Sequence, residues 1–252
     1  MEQCLQFKNV DLTYHTTEAE TKALNNVNFD VKNGEFVAIV GPSGCGKSTI
    51  LSLIAGLMKP TNGEIICNFS TKNGIGYMFQ RDNLFEWRTI WKNVTIGLEI
   101  NKCLTKENIE FVELLLKKYG LWEFRDRYPS QLSGGMRQRA SLIRTLALNP
   151  KLLLLDEPFS ALDYQTRLNV CDDVYSIIKK ENKTAILVTH DISEAISMAD
   201  RVIVLSNRPA SVKNIFEIGI DKNITPFLRR NHKDFSKLFN TLWKELKTDE
   251  KS

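Results

Sequence analysis

Phe36-Val37-Ala38-Ile39-Val40-Gly41-Pro42-Ser43-Gly44-Cys45-Gly46-Lys47-Ser48-Thr49 decides the fold of this 252-residue chain. The five apolar residues at its head read as a strand buried on both faces, the habit of a parallel sheet. They run into a loop of the form G-x-x-x-x-G-K-[ST]. A helical pattern follows over residues 47–57 until Pro60-Thr61-Asn62-Gly63 stops it. Strand, glycine loop and helix, in that order, make an anion site. The glycines let consecutive N–H groups turn inward, and the helix start adds its positive dipole end. Gly41, Pro42, Ser43, Gly44, Cys45, Gly46, Lys47, Ser48 and Thr49 are thus the candidate phosphate loop. Lys47 is placed for the β- and γ-phosphates and Ser48 for Mg²⁺. A chance lysine in a Gly-rich turn is the bland alternative, disfavoured by the match in this context. Cys45 reads as a small loop residue, with the expectation that a bulky thiol label there blocks nucleotide.

The second half of such a site is a carboxylate at the end of another buried strand. Leu152-Leu153-Leu154-Leu155-Asp156-Glu157-Pro158 supplies it: Asp156 for the Mg²⁺ shell, and Glu157 as a candidate general base for water attacking the γ-phosphate. Alone, an apolar run ending in Asp is weak. Joined to the phosphate loop it points firmly to nucleoside triphosphate. Further runs at 184–188, 201–205 and 212–218 read as strands, the last two parted by the turn at Asn207-Arg208-Pro209. Leu24, Val27, Phe29 and Val31 mostly alternate before the turn at Asn33-Gly34. The class is α/β, with a mostly parallel sheet flanked by helices and an antiparallel β part.

From about 85 to 150 the pattern turns helical. Ile109, Val112, Leu115, Leu116 and Tyr119 keep helical spacing, and Gly120 is a candidate C-cap. The expected division is an α/β core over 1–84 and 151–225, an inserted helical subdomain over 85–150, and a helical tail over 226–252. In the tail, Thr225-Pro226 reads as N-cap and N1. Phe235, Leu238, Phe239, Leu242, Trp243 and Leu246 form one helical stripe, taken as packing on its own domain. Lys and Arg number 34 against 30 acidic residues, a net charge of +4 too weak for a dedicated nucleic-acid binder. The best apolar stretch, 50–58, falls short of the ~20 residues of a membrane span, and the N-terminal residues do not resemble a signal peptide. Five scattered cysteines without C-x-x-C spacing suit a reducing compartment rather than disulfides or zinc.

Leu132-Ser133-Gly134-Gly135-Met136-Arg137-Gln138-Arg139 opens a helix with a Ser and two glycines, a second anion nest in one chain. The bland alternative is an N-capping Ser with glycines for close packing. With this motif the chain resembles the ATP-binding subunit of an ATP-binding-cassette (ABC) transporter, over nearly its whole length from Tyr14 to about residue 220. The resemblance implies a P-loop NTPase core and an ATPase using ATP and Mg²⁺. It also implies that Ser133, Gly134 and Gly135 close on the ATP of a second ATPase subunit in a head-to-tail dimer. Tyr14 then matches the aromatic stacked on adenine; an edge-strand Tyr is its alternative. Gln80, in Tyr77-Met78-Phe79-Gln80, matches the glutamine that reaches Mg²⁺ and the attacking water. Asp163, in Ser160-Ala161-Leu162-Asp163, matches the loop crossing the dimer interface. His190, after Leu187-Val188-Thr189, matches the switch histidine on the γ-phosphate.

Within the family, Leu-Ser-Gly-Gly-Met-Arg-Gln-Arg and Leu205-Ser206-Asn207-Arg208-Pro209 resemble the nitrate/sulfonate/taurine importer branch. Leu84-Phe85-Glu86-Trp87 departs from that branch by lacking a Pro before the Trp, which keeps importers of thiamine-precursor pyrimidines or riboflavin open. Implied partners are membrane permease subunits, a second ATPase subunit in a homodimer and, indirectly, a substrate-binding protein, with no nucleic acid. The implied place is peripheral, on the cytoplasmic face of the membrane. Phe85, Trp87 and Trp91 fall where the family receives the permease, or else they are core. A DNA-repair or ribosomal cassette ATPase is disfavoured by the chain length, and a P-loop kinase or GTPase by the second nest.

Overall fold

The computed structural model describes residues 2–15, 19–71 and 74–247, so residues 248–252 of the expected tail lie outside it. In chain order the first part forms β1 (Gln3–His15), β2 (Glu20–Lys32), β3 (Phe36–Val40), α1 (Lys47–Ile54), β4 (Asn62–Cys67) and β5 (Ile75–Met78). Then come α2 (Ile90–Val94), α3 (Ile96–Ile100), α4 (Lys106–Lys118) and α5 (Gly134–Leu146), with no strand between β5 and β6 among the described residues. The chain returns with β6 (Leu152–Asp156), α6 (Tyr164–Lys180), β7 (Thr184–Val188), α7 (Ile192–Met198), β8 (Arg201–Leu205) and β9 (Val212–Glu217). It ends in α8 (Pro226–Arg230) and α9 (Phe235–Lys247).

The larger sheet has the order β5-β6-β7-β3-β8-β9; its first five strands are parallel and β9 is antiparallel to β8. A smaller antiparallel sheet, β2-β1-β4, lies over it. Because side chains alternate across a strand, the central strands feed two cores. Val37, Ile39, Leu152 and Leu154 join α1 and the small sheet. Phe36, Ala38, Val40, Leu153 and Leu155 join the helices on the other face. The α/β class with its antiparallel part is therefore the one expected.

Three details differ from the sequence reading. The helix after the phosphate loop ends at Ile54, three residues early. Gly56, at φ 71°, takes the left-handed position, and Leu57 N–H closes on Ser52 O at 3.0 Å. This is a Schellman stop, so Gly56 and not Pro60 ends the helix. Strands β1, β4 and β5 carry no clean pattern. β1 is kinked by Asn9 at φ 48° within a register shift, β4 is largely exposed, and β5 has four residues. Third, Tyr14 pairs with Thr21 of β2 on the middle strand of its sheet, beyond the last β4 pair at Asp11.

Other signals hold. α4 stops as expected at Gly120 (φ 70°), with Leu121 N–H on Leu116 O at 2.8 Å. Thr225 caps α8, accepting from Leu228 N–H at 3.4 Å. The α9 stripe packs on its own domain through fully buried Leu242, with Phe235, Leu238, Phe239 and Leu246 half-buried beside it. Trp243 stays 46% exposed and stacks on Phe239.

Candidate nucleotide site

The ends of β3, β5, β6 and β7 open side by side at the carboxyl edge of the sheet, where open α/β sheets bind ligands. The loop after β3 holds Gly44 at φ 72° and Gly46 at φ 123°, both left-handed. A Cβ on Gly46 would lie 3.0 Å from Leu24 Cδ2, so glycine is needed there twice over. Lys47 begins α1, and its ammonium donates back across the loop to Gly41 O and Pro42 O, both at 2.9 Å. Cys45 turns its side chain into the core, 2% exposed, and burial raises its thiol pKa. The thiol packs into the core on the far side of the loop, so a label there must first displace that packing.

Ser48 Oγ donates to Asp156 Oδ1 at 3.1 Å, bringing the two candidate Mg²⁺ ligands together between the start of α1 and the end of β6. Tyr77 donates its hydroxyl to the other oxygen, Oδ2, at 3.1 Å. Burial raises the Asp156 carboxyl, opposed by those two hydrogen bonds, and burial beside Asp156 raises the Tyr77 phenol. A hydroxyl and a carboxylate are hard oxygen donors and fit Mg²⁺, which takes few protein ligands and keeps phosphate oxygens and waters. Among the described residues no group of three His, Cys, Asp or Glu competes as a metal cage. Gln80, the third expected ligand, hydrogen-bonds neither: its Nε2 donates to Ser160 Oγ at 3.1 Å.

Glu157 sits at φ 43°, a left-handed backbone rare for a side chain of its size. Its N–H donates to Val188 O at 2.9 Å, and its carbonyl accepts the Ser160 hydroxyl at 3.0 Å. Its carboxylate Oε2 meets His190 Nδ1 at 3.0 Å. Gln80, Ser160, Glu157 and His190 thus form one chain of contacts from β5 to β7, beside Asp156 and Ser48. Tyr14 reaches the same helix: its hydroxyl lies 3.1 Å from Thr49 Oγ1 and donates to Met58 Sδ at 3.7 Å.

The second anion motif lies elsewhere. Ser133 caps α5, accepting Met136 N–H at 3.3 Å. Neither Gly134 nor Gly135 is left-handed, so the motif is a helix N-terminus and not a nest of alternating hand. The packing alternative also holds. A Cβ on Gly135 would lie 3.0 Å from Val170 Cγ2, and one on Gly134 3.2 Å from Leu162 Cδ2. Ser133, Gly134, Gly135, Gln80 and Asp163 line a groove of ≈ 680 Å³ that no phosphate-loop residue touches. Asp163 caps α6, accepting Thr166 N–H at 3.0 Å, which holds its carboxyl low.

Sequence reasoning overlooked the ties between these parts. Tyr77 stood inside a quoted motif, but its partner follows only from the β5–β6 pairing. Asp82, two residues after Gln80, meets Arg137 Nε at 3.1 Å. Arg144 donates to Asp82 O and Asn83 O, both at 2.6 Å, and Gln138 donates to Pro158 O. The aromatic set divides: Trp87 is 74% exposed against Phe85, while half-buried Trp91 packs edge-on to Trp122 against the core.

The family model for ABC transporter matches residues 24–160. The chain is 46% identical to the ABC transporter ATP-binding protein YtlC of Bacillus subtilis (strain 168), itself uncharacterized, covering 98% of this chain and 97% of that one. It is 39% identical to the nitrate import ATP-binding protein NrtD of Synechocystis sp., over 86% of this chain and 83% of that one. Its fold matches the ATP-binding cassette MJ0796, seen as a dimer in a post-hydrolysis state bound to ADP and Pi. There the TM-score is 0.70 at 35% identity, over 85% of this chain and 98% of that one. The phosphate loop and the carboxylates beyond β6 thus stand within a known frame, and the chain belongs to the ABC transporter family as an ATPase that works on ATP with Mg²⁺.

Proposed function

We propose that the chain energises an importer of nitrate, sulfonate or taurine-like small anions from the cytoplasmic face of the membrane, as a head-to-tail dimer with two ATP molecules at the interface. The carrying observation is the separation of the two anion sites: the Ser133–Gly135 helix start lines a groove without any phosphate-loop residue. A second copy supplies that helix start to the phosphates held by the first. The dimeric MJ0796 cassette and the nitrate import relative support this reading. In the described residues no helix is long and apolar enough to cross a membrane, so the cargo path is assigned to separate permease subunits. Exposed Trp87, beside the Gln80 segment, is the proposed permease contact. A substrate-binding protein delivers the cargo. Residues 1–84 and 151–225 act as the nucleotide core, 85–150 as the helical subdomain, and 226–252 as a packed tail.

The proposed chemistry runs through the chain's own groups. The 41–49 loop and Lys47 bind the phosphates, and Tyr14 holds the adenine. Ser48 and Asp156 would hold Mg²⁺, which would neutralise phosphate charge, with Gln80 as a further donor toward it. Glu157 accepts the proton of the attacking water, within reach of a general base. His190, 3.0 Å from Glu157, hydrogen-bonds the γ-phosphate. Asp163 stands at the interface. Hydrolysis removes the γ-phosphate that joins the copies, and product repulsion reopens them.

Uptake tests the reading. Cells carrying the native chain or Glu157→Gln are offered labelled nitrate, taurine, an alkanesulfonate and a thiamine-precursor pyrimidine. Loss of one anion uptake is expected. Loss of pyrimidine uptake alone would move the chain to that branch, in line with the absent Pro before Trp87. Four unaffected uptakes would refute the cargo assignment.

A further inference from the structure

Behind His190 lies a polar network that none of the roles above uses. Thr189, 1% exposed, donates its hydroxyl to Glu194 Oε2 at 2.6 Å, and its own Oγ1 accepts Asp191 N–H at 3.0 Å. Asp191 caps α7, its Oδ1 accepting Ser193 and Glu194 N–H at 2.7 and 3.3 Å. The buried Glu194 carboxylate thus holds Thr189 on one side of His190 directly, and Asp191 on the other side through the Thr189 hydroxyl. That carboxylate faces Arg167 of α6. Arg167 Nη1 lies 3.9 Å from Glu194 Oε1 and 3.7 Å from Asp191 Oδ2. Its Nη2 donates to Leu162 O at 3.1 Å, and its buried Nε has no hydrogen-bond partner among the described residues. Leu162 belongs to the loop that ends in Asp163 and lines the interface groove. Arg230 adds a second positive charge near Glu194.

We propose that Arg167 is a positioning residue that transmits the seating of loop 160–163 to His190, so that hydrolysis, and not nucleotide binding, depends on how that loop is held. This rests on the head-to-tail reading, in which the loop meets the partner chain. The physical ground is the rigid guanidinium fork. One arm holds the loop carbonyl and the other faces two carboxylates, so the two cannot move independently. Withdrawing the fork leaves Glu194 buried without its nearest cation, and the charge-assisted bond that orients Thr189 weakens. Lysine restores charge but not the two-armed geometry.

The test uses the full chain with Arg167→Met and Arg167→Lys, alone and combined with His190→Ala. Turnover, KM for ATP, ATP-Mg affinity and melting temperature are measured. Arg167→Met is expected to lower kcat about tenfold, in the range of coupled neighbours, with KM and affinity changed by less than about twofold. Arg167→Lys recovers part of the loss. In the His190→Ala background the Met change alters residual kcat less than about twofold, because Arg167 acts through His190. A full tenfold loss in that background, or a kcat loss that only follows melting temperature, would make Arg167 a packing residue and overturn the proposal. Should Arg167→Met fail to fold, Glu194→Gln replaces it, keeping an acceptor for Thr189, with the same expected non-additivity and the same refuting result. Native turnover in the Arg167 variants, alongside a Glu157→Gln chain that dimerises with ATP, overturns the positioning role alone. A Glu157→Gln chain that stays monomeric at saturating ATP-Mg overturns both readings.

Discussion

Glu157 carries two burdens, a proposed proton transfer and an unfavourable backbone, and two substitutions separate them. Glu157→Gln keeps the shape and the φ of 43° but removes the basic oxygen. A positioned general base contributes about 10²–10⁴-fold, so turnover should fall by about 3–5 kcal/mol of barrier while ATP still binds. Glu157→Gly removes the base and the strain together. Relief of a left-handed side chain is worth roughly 1–2 kcal/mol, less roughly 0.5–1 kcal/mol for the freer unfolded chain. The lost contact to His190, itself 63% exposed, adds little. The Gly variant is thus expected to be about 0–1.5 kcal/mol more stable and equally inactive, melting up to about 6 °C higher for a chain of this size. Phosphate release at saturating ATP-Mg and scanning calorimetry read the two effects. A Gln variant within tenfold of native turnover would refute the base. A Gly variant that melts lower would refute the strain.

Two further outcomes follow from buried groups. Cys45 should resist thiol reagents in the native chain and react only at the rate of unfolding, since its thiol is buried and its pKa raised; rapid labelling of Cys45 in the folded protein would refute its placement. Glu35, 8% exposed, accepts from Lys32 N–H and pairs ionically with Arg201, Nε to Oε1 3.2 Å, yet burial raises its carboxyl pKa. A proton held more tightly folded than unfolded stabilises fully below the unfolded value near ~4.3 and is lost as pH rises through the raised one. Native stability measured against Glu35→Gln should therefore decline as pH rises from about 4, and a growing advantage would refute the assigned direction.

Much of the nucleotide site was legible because its chemistry lies in contiguous residues. Buried β3 and β6 are continuous apolar runs; Asp156 ends β6, and Lys47 and Ser48 follow β3 after the loop 41–46, so strand and ligand are read in one stretch. β1 was illegible for a physical reason: Asn9 turns left-handed inside it and breaks the alternation that marks a strand. The Tyr77–Asp156 and Asp82–Arg137 contacts join residues 79 and 55 positions apart, which no local pattern encodes. The glycines of the second motif were recognisable, but their packing against Val170 and Leu162 was not. Trp87 and Trp91 are the same residue type, but Trp87 lies in the turn before α2 and Trp91 within α2, whose packing turns it toward Trp122.

The grip of Arg144 and Arg137 on the segment after Gln80 has a mechanical consequence. α5 carries Ser133 at one end and, near the other, Arg144 fastened to the carbonyls of Asp82 and Asn83. The helix is clamped along its length to the exit of β5, so a tilt at either place becomes a tilt at both. The helical insertion then has one hinge movement where two separate ones would leave slack, and little displacement is lost between the glutamine and the α5 start, which line the same groove.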